Sequence, residues 1–397
     1  MFSDFKQYIY NLVAEAIISN KIKMLKNTIR KGSCIAASLT AIACPNYLNA
    51  AEISISVGGF VDFQTGFSNQ DDRFETSGAN TRSFKTQNDT EIFISIEGKS
   101  DSGFVYGAVK ELNADVSVDA DSDGLNGEKT YIYFETPLGR LELGANSGAQ
   151  TTMNINASSI ARATGGINGD WYDFVGVTSL PYITTPELPA AHAAEGGVRE
   201  DANKLSLYSP ELYGVQLGVS YTPDQSNSGT VATFRDFSQD QKDVVGLGAI
   251  YSLSYDDINI TTSATAELGR SRSDKIFNDT QAWAVGAVVE KNGFSVAGSY
   301  SDWNDSESSV DGADSWVWTA GTAYEKGDYG VSLTYLKSNY DNILASTPES
   351  NEFQNISLGV DYEVAEGLLP YAEFNLFDMD TIDNQGYTLL LGTQMNF

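Results

Sequence analysis

The clearest chemical pattern lies in the segment DADSDG, where carboxylates alternate with other residues and a glycine follows. Asp119, Asp121 and Asp123 have the spacing of a calcium-binding loop, in which alternate carboxylates converge on a hard cation. The twelfth position, where such a loop needs a bidentate glutamate, is Thr130, and Glu128 is out of register. Two interpretations therefore stay open, a divalent-cation site and the solvated tip of a hairpin.

Residues for acid–base catalysis are scarce. His192 is the single histidine, which removes most histidine-based catalysis and transition-metal binding. The sequence contains no GxSxG elbow and no Walker loop, and no serine is identifiably paired with a base. We therefore expect a protein that is not an enzyme and requires no cofactor, apart from structural calcium at the aspartate segment.

The charge balance is strongly acidic, with 24 Lys and Arg against 53 Asp and Glu and a formal net charge of -29. Nucleic-acid binding rests on basic side chains that neutralise phosphates, so this composition argues against nucleic acid as a partner. An acidic chain suits cations instead.

The first fifty residues have the features of an export signal. Basic residues precede the short apolar run CIAASLTAIAC, and small residues surround an expected cleavage point after Ala50 or Ala51. Met24 stands where such a signal would start, so we interpret residues 1–23 as an N-terminal extension. The rival interpretation is a lipidated Cys44, although the residues before it lack the leucine usual in lipoproteins.

From residue 51 onward the dominant pattern is alternation, as in GVQLGVSYT, which predicts β-strands with one apolar and one polar face. No apolar run approaches the ~20 residues of a membrane-spanning helix. The alternating segments number about sixteen, as in a closed transmembrane barrel. We predict strands at 53–64, 89–98, 103–114, 129–136, 139–146, 203–209, 214–222, 243–253, 257–267, 280–290, 293–303, 314–325, 328–338, 353–363, 367–377 and 386–397.

The connections alternate between tight turns, such as EKNG, and long polar loops, such as NDSESSVDGA. Short turns on one rim and long loops on the other are typical of a barrel inserted from one side of a membrane. Aromatic residues near strand ends fit a membrane interface, where part-polar rings are favoured. These residues are Tyr251, Trp303, Trp316, Trp318, Tyr324, Tyr335, Tyr371 and Tyr387.

One connection, residues 147–202, is far longer than a hairpin loop, and such length usually indicates function. The segment leading into it, TPLGRLELGANSGA, resembles the corresponding landmark of the Gram-negative general porins, and the similarity in pattern covers residues 51–397. The resemblance implies an all-β transmembrane antiparallel barrel and a homotrimer in the outer membrane. It also implies a third loop that folds into the lumen and narrows the channel, so that small hydrophilic solutes diffuse passively.

Under this resemblance, the loop contributes charges to the constriction and the strands contribute charges to the lumen wall. Acidic residues outnumber basic ones, and rings of carboxylates favour cations, so we expect a cation-preferring pore. The loop residues are Arg162, Asp170, Asp173, Glu187, Glu195, Arg199, Glu200 and Asp201. The wall residues are Asp62, Arg82, Glu91, Glu142, Lys204, Glu267 and Glu373.

Two other functions stay open. A substrate-selective channel for a sugar, amino acid or polyamine would use Trp171, Tyr172 and Tyr182 to stack on its ligand, although loop packing is the alternative role of these rings. A secreted β-adhesin that binds calcium would differ from a channel in being soluble without detergent.

The last eleven residues, YTLLLGTQMNF, predict a final strand with a lipid-facing row of Tyr387, Leu389, Leu391, Met395 and Phe397. Position 390 is leucine, where the alternation calls for a polar residue. The segment resembles the signal by which the barrel assembly machinery recognises outer-membrane barrels, with Gly392, Met395 and Phe397 at the expected spacing. The partners implied are that machinery, outer-membrane lipid and lipopolysaccharide.

Overall fold

The computed structural model describes residues 52–71, 83–114, 126–175, 182–190, 200–225, 241–271, 278–306, 308, 312–342, 349–380 and 383–397. None of the helices within these ranges has the length and apolar character needed to cross a membrane. The sequence calls at Arg82, Asp119, Asp121, Asp123, His192, Glu195 and Arg199 lie outside the described residues, as do residues 1–51.

Residues Glu52–Phe397 form one compact unit, a closed antiparallel barrel of sixteen strands in which each strand pairs with its neighbours in sequence and the last pairs with the first. The strands are β1 (Glu52–Gln70), β2 (Phe84–Lys99), β3 (Val105–Asn113), β4 (Asn126–Thr136), β5 (Gly139–Ala145), β6 (Asn203–Tyr208), β7 (Val215–Asp224), β8 (Gln241–Tyr255), β9 (Ile258–Ser271), β10 (Gln281–Lys291), β11 (Phe294–Asn304), β12 (Ser315–Lys326), β13 (Tyr329–Asn342), β14 (Glu349–Tyr362), β15 (Leu368–Met379) and β16 (Asn384–Asn396).

The predicted barrel and its strand number are confirmed. The main differences are at the start, where β1 runs to Gln70 and β2 begins at Phe84. Both strands extend beyond the segments in which apolar and polar residues alternate regularly. Their backbones stay paired as far as Phe67 and Phe84, whose ring centroids lie 5.1 Å apart.

Two-residue turns close several hairpins at one rim of the barrel. Between β10 and β11, Lys291 pairs with Phe294, and the turn residues Asn292 and Gly293 have φ values of 51° and 83°. Two successive positive φ values are typical of the tight hairpin turn that Asn-Gly favours, because its twist matches that of the strands.

The outer face of the barrel is apolar and exposed. Leu333 on β13 and Leu358 on β14 pair directly and are 48% and 45% exposed. In water such a surface would be unfavourable, whereas in a bilayer it is the required face of a closed sheet. The predicted outward row of β16 is confirmed, because Leu391 and Met395 lie on this face with exposures of 45% and 51%.

The core of the protein lies inside the barrel, between the inner wall and the segment that connects β5 to β6. This segment contains a short helix α1 (Ala149–Thr152) and three 3-10 helical turns at Ala157–Ile160, Gly166–Asn168 and Asp170–Phe174. The buried apolar cluster joins loop residues to wall residues, namely Ile167, Trp171, Phe174, Ile183 and Leu188 with Val317, Leu336, Phe353, Phe377, Met379 and Leu390.

This interior core corrects two sequence interpretations. Trp303 and Tyr371 were predicted at the membrane interface, but both face inward and are 0% and 7% exposed. The Trp303 ring nitrogen donates to the Glu187 carbonyl at 3.2 Å, and the Tyr371 hydroxyl donates to the Asp62 carboxylate at 2.6 Å. Proximity to a strand end does not reveal which face a ring occupies, because an inner face packed by a loop also accepts aromatics.

Candidate functional site

The described parts of the third loop, residues 147–175, 182–190 and 200–202, lie inside the barrel, as the sequence predicted. Irregular backbone has no ladder partners of its own, so its buried N–H groups need other acceptors. Wall hydroxyls on β7, β9, β12 and β13 provide them. The loop N–H groups of Ala149, Ile155, Ala157, Arg162 and Ile167 donate to Ser220, Ser263, Thr319, Ser332 and Thr334 at 2.9 to 3.3 Å.

Arg162 fastens the middle of this loop to the wall. Its Nε and Nη2 donate to the two carboxylate oxygens of Asp361 at 2.9 and 2.8 Å, and its Nη1 donates to Glu325 at 2.9 Å. The hydrogen bonds to Asp361 raise the pKa of Arg162 further above its usual value. Since two wall carboxylates surround this guanidinium, Arg162 serves chiefly to hold the loop.

Three wall carboxylates predicted to line the lumen do point inward but are covered. Glu373 is 1% exposed and accepts the N–H groups of Thr164 and Gly166 at 3.2 and 3.1 Å. Glu267 is fully buried and accepts the Ala190 N–H at 3.1 Å. Asp62 is buried and bonded to neighbouring side chains. They therefore lie on the inner wall, where they were predicted, but the protein buries them.

The third 3-10 turn joins the loop to β1 and β2. The Gln64 amide donates to the carboxylates of Asp170 and Asp62, and Gln87 donates to Gln64 at 2.8 Å and to Asp173 at 3.2 Å. Burial raises the pKa of Asp170 to about 7, with a smaller contribution from nearby carboxylates. Asp170 and Asp173 thus lie at a contact between the loop and the wall.

Lys204 was predicted as a basic residue of the lumen wall, but its ammonium group is buried at the base of the loop. It donates to the backbone carbonyls of Asn146 and Glu200 and, at 2.7 Å, to that of Ala202. Three carbonyls enclose the charge, so Lys204 fixes the base of the loop and does not face the water path.

The remaining loop carboxylates lie on the way back to β6. Burial raises the pKa of Glu187 to about 7 and that of Asp201 to about 6. The Ser147 hydroxyl donates to Glu200 at 2.6 Å. Glu187 and Asp201 therefore become less charged when the pH falls towards 6.

Among the described residues, a dense group of charged side chains lies on the inner wall formed by β2–β5. The carboxylate oxygens of Glu91, Glu111 and Glu128 lie within 4.8 Å of one another. Lys129 donates to Glu111 at 3.2 Å. On β5, Glu142 pairs with the Arg140 Nε at 2.7 Å. This group could hold a cation, although Lys129 already supplies one positive charge.

Sequence reasoning found Glu91 and Glu142 but missed Glu111 and Glu128. Strand pairing was the signal that could have revealed Glu111. Phe93 pairs with Glu111, and Glu91 lies two residues from Phe93, so the two glutamates share one face of the sheet. A bulge opposite Lys110 to Leu112 then brings Glu128 into the group. Bulges redirect side chains without a strong sequence signature, so Glu128 was not predictable.

The aromatic residues predicted to stack on a ligand mostly pack the loop. Trp171 is 1% exposed and lies between the rings of Phe353 and Phe377, with centroids 5.8 and 5.5 Å away. Tyr182 is 2% exposed and Tyr172 is 40% exposed. Trp171 and Tyr182 therefore have the alternative role, packing of the loop. Of these three rings, that of Tyr172 is accessible.

The C-terminal strand closes the barrel. The backbone of Phe397 exchanges hydrogen bonds with Gly59, at 3.0 and 3.1 Å. Met395 lies on the outer face, whereas Gly392 lies on the inner face, where an added Cβ would be 2.2 Å from the Tyr371 ring. Leu390, which breaks the polar alternation, is fully buried in the interior core.

Similarity to known proteins agrees with this architecture. The chain is 26% identical to an uncharacterised protein of Rickettsia bellii over 88% of this chain and 94% of the relative. It is 24% identical to one of Rickettsia conorii over 92% and 98%.

Solved structures show the same fold at low identity. An Rh. blastica porin mutant matches with a TM-score of 0.55 at 16% identity, over 87% of this chain and all (100%) of that one. An anion-selective porin from Comamonas acidovorans matches with a TM-score of 0.60 at 13% identity, with the same coverage of 87% and 100%. The model of the Gram-negative porin family matches residues 36–381. The chain therefore belongs to the Gram-negative porin family.

Proposed function

We propose that this porin passes small hydrophilic solutes and ions by passive diffusion across the outer membrane, with a preference for cations. The observation that carries the preference is the cluster of Glu91, Glu111 and Glu128 on the inner wall of β2–β4, along which we infer that water passes. Carboxylates at a narrow point favour cations and disfavour anions. One structural neighbour is anion-selective, so fold alone does not determine the sign.

Among the described residues, most basic groups near the charged wall are paired with carboxylates. Lys129 is paired with Glu111, Arg140 with Glu142 and Glu135, and Arg162 with Asp361. Each pairing leaves the surrounding carboxylates in excess. The path needs no cofactor and no turnover, so we include in the proposal that the protein is not an enzyme.

Reversal potentials in a KCl gradient across planar bilayers test the preference. We expect a reversal potential with the sign of a cation-selective pore. The variant E91Q/E111Q/E128Q should move the permeability ratio of K⁺ to Cl⁻ towards unity. Glu366 lies in an exposed turn, so E366Q is the matched control that removes a charge far from the cluster. Anion selectivity of the unmodified protein would contradict the proposal.

The homotrimer implied by the family resemblance is part of this proposal. Lys110 on β3 pairs with Ile94 on the outer face, and its ammonium group donates to Thr130 at 2.7 Å. A lysine facing lipid costs ~2–4 kcal/mol at the bilayer midplane, so cover from a second copy would be favourable here. Mass measurement of the detergent-solubilised protein, with K110A for comparison, checks this part.

The assembly role of Phe397 is also proposed. Its backbone pairs with Gly59 and its side chain is 58% exposed on the outer face. Deleting this residue should impair insertion by the barrel assembly machinery more than ion selectivity. Normal amounts of heat-modifiable barrel in the outer membrane after the deletion would refute it. Cleavage after Ala50 or Ala51, contacts with lipopolysaccharide and calcium at residues 119–123 remain predictions outside the described residues.

A further inference from the structure

A cavity of about 520 Å³ opens inside the barrel at the rim with short turns. Its walls come from β4–β8 and the turn that follows β6, and Thr152 and Met153 of the third loop cover it. A solute that passes the constriction along β2–β5 meets this cavity, because Glu142 and Arg140 of β5 belong to both.

The charges of the cavity are unbalanced. Glu135, Glu142 and Glu211 contribute carboxylates, and Arg140 is the cation among the lining residues. Arg140 is already occupied, since its Nε donates to Glu142 at 2.7 Å and its Nη1 lies 3.5 Å from Glu135. Its guanidinium carbon also lies 4.0 Å from the centroid of the Tyr133 ring. The cavity therefore offers negative charge to a visiting solute.

The deepest carboxylate is held in place by the protein. Glu142 is 8% exposed and accepts a second hydrogen bond from Asn146 Nδ2 at 2.6 Å. Buried and doubly bonded, this group stays fixed while Glu211 in the turn is exposed to solvent. A ligand would thus meet a rigid inner side and a mobile outer carboxylate.

Apolar surface lies beside these charges. Met153, Ile250 and Pro210 line the same cavity, together with the ring of Tyr208. A hydrated inorganic ion gains nothing from such surface, whereas a short hydrocarbon chain that carries a cationic group can use both.

We propose that this cavity binds small organic cations, with an ammonium or guanidinium group on a short hydrocarbon chain, as they pass through the pore. The inference rests on the proposed channel function and names a solute class and its binding place. The cationic group lies towards Glu211 and Glu135, and the hydrocarbon lies against Met153 and Ile250.

A second cavity at the same rim provides a natural control. It measures about 330 Å³ and is lined by three carboxylates, Asp257, Glu290 and Glu325, and one cation, Lys291. It thus matches the first cavity in charge but is smaller. Binding due to net charge alone would be equal at both places.

The test measures K⁺ current through planar bilayers while n-butylammonium is added on the short-turn side. We expect saturable inhibition by n-butylammonium and none by 1-butanol, which has a similar shape without charge. The variant E135Q/E211Q should raise the half-inhibiting concentration about fivefold, as expected for loss of part-exposed charge contacts. The control D257N/E290Q should leave it unchanged.

The outcomes separate the two proposals. A K⁺ current without saturable inhibition, or equal weakening in both variant pairs, overturns the organic-cation site and leaves the channel intact. Absence of any K⁺ current from correctly folded protein overturns the channel function itself, and the site with it. Heat-modifiable migration of each variant verifies that its barrel is folded.

Discussion

The two sides of the barrel interior differ in composition. The side formed by β7–β16 presents hydroxyls, small residues, apolar side chains and a few covered carboxylates to the third loop, and its members Ser357, Thr334 and Leu336 are 0% exposed. The side formed by β2–β5 carries a dense group of charged residues, and β4 and β5 also line a cavity. A porin lumen is thus part protein core and part water path, and the same alternating strands can supply either, depending on what covers them.

The largest expected effect comes from breaking the attachment of the loop. Arg162→Ala leaves Asp361, whose side chain is 3% exposed, without its partner. Removal of one member of a buried pair typically lowers the free energy of unfolding by ~3–5 kcal/mol. Because Arg162 is partly exposed, we expect the lower end of this range, about 3 kcal/mol. We expect noisier single-channel currents and easier urea unfolding. The exposed pair of Arg270 and Asp243, at 3.7 Å, provides the control Arg270→Ala, which should cost little.

The next effect concerns the interior core. Leu390→Ala removes a fully buried side chain that packs against the loop, so we expect a loss of about 3 kcal/mol in the free energy of unfolding. Leu391→Ala, one residue along and 45% exposed, should cost less because lipid or detergent fills the space. Equal losses in urea titrations of the refolded barrel would show that Leu390 does not belong to a packed core.

A smaller effect follows from pH. Folding raises the pKa of Asp170 and Glu187 to about 7, well above the ordinary carboxyl value. The folded state then binds more protons than the unfolded state, so stability is greatest at low pH and declines as the pH rises through 7. We expect a higher melting temperature at pH 5.5 than at pH 8. Asp170→Asn should flatten this dependence, whereas Asp257→Asn at the exposed rim should not.

The smallest effect tests a single attachment. Ser332→Ala removes the acceptor of the Arg162 N–H, at 2.9 Å, and should cost about 1 kcal/mol. Ser254→Ala removes an exposed hydroxyl bonded to Asn259 and should change stability by less than about 0.5 kcal/mol. Indistinguishable values in the two titrations would indicate that wall hydroxyls are not needed to hold the loop.

The sequence predicted the barrel well because strand periodicity is local. Alternation gave the sixteen strands, the inner and outer faces and the position of the long loop, each from a few consecutive residues. It did not predict what covers each inner residue. Arg162 meets Asp361 across 199 positions of sequence, and nothing local in either residue indicates this pairing.

Two residues illustrate the limit. Lys204 has the parity of a lumen residue, but three carbonyls at the base of the loop enclose it. Leu390 was a departure from the polar inner row of the last strand, and the loop core explains it. A leucine on the polar face was therefore a usable signal of interior packing, whereas the lysine carried none.

Accessibility of introduced cysteines tests the central claim, that water follows β2–β5 and the loop covers the remaining wall. In a background with Cys34 and Cys44 replaced by serine, Glu91→Cys and Ser357→Cys would be treated with a positively charged methanethiosulfonate during current recording. The account predicts a rapid fall in K⁺ current for Glu91→Cys and no change for Ser357→Cys. A rapid fall for Ser357→Cys, or none for Glu91→Cys, would contradict it.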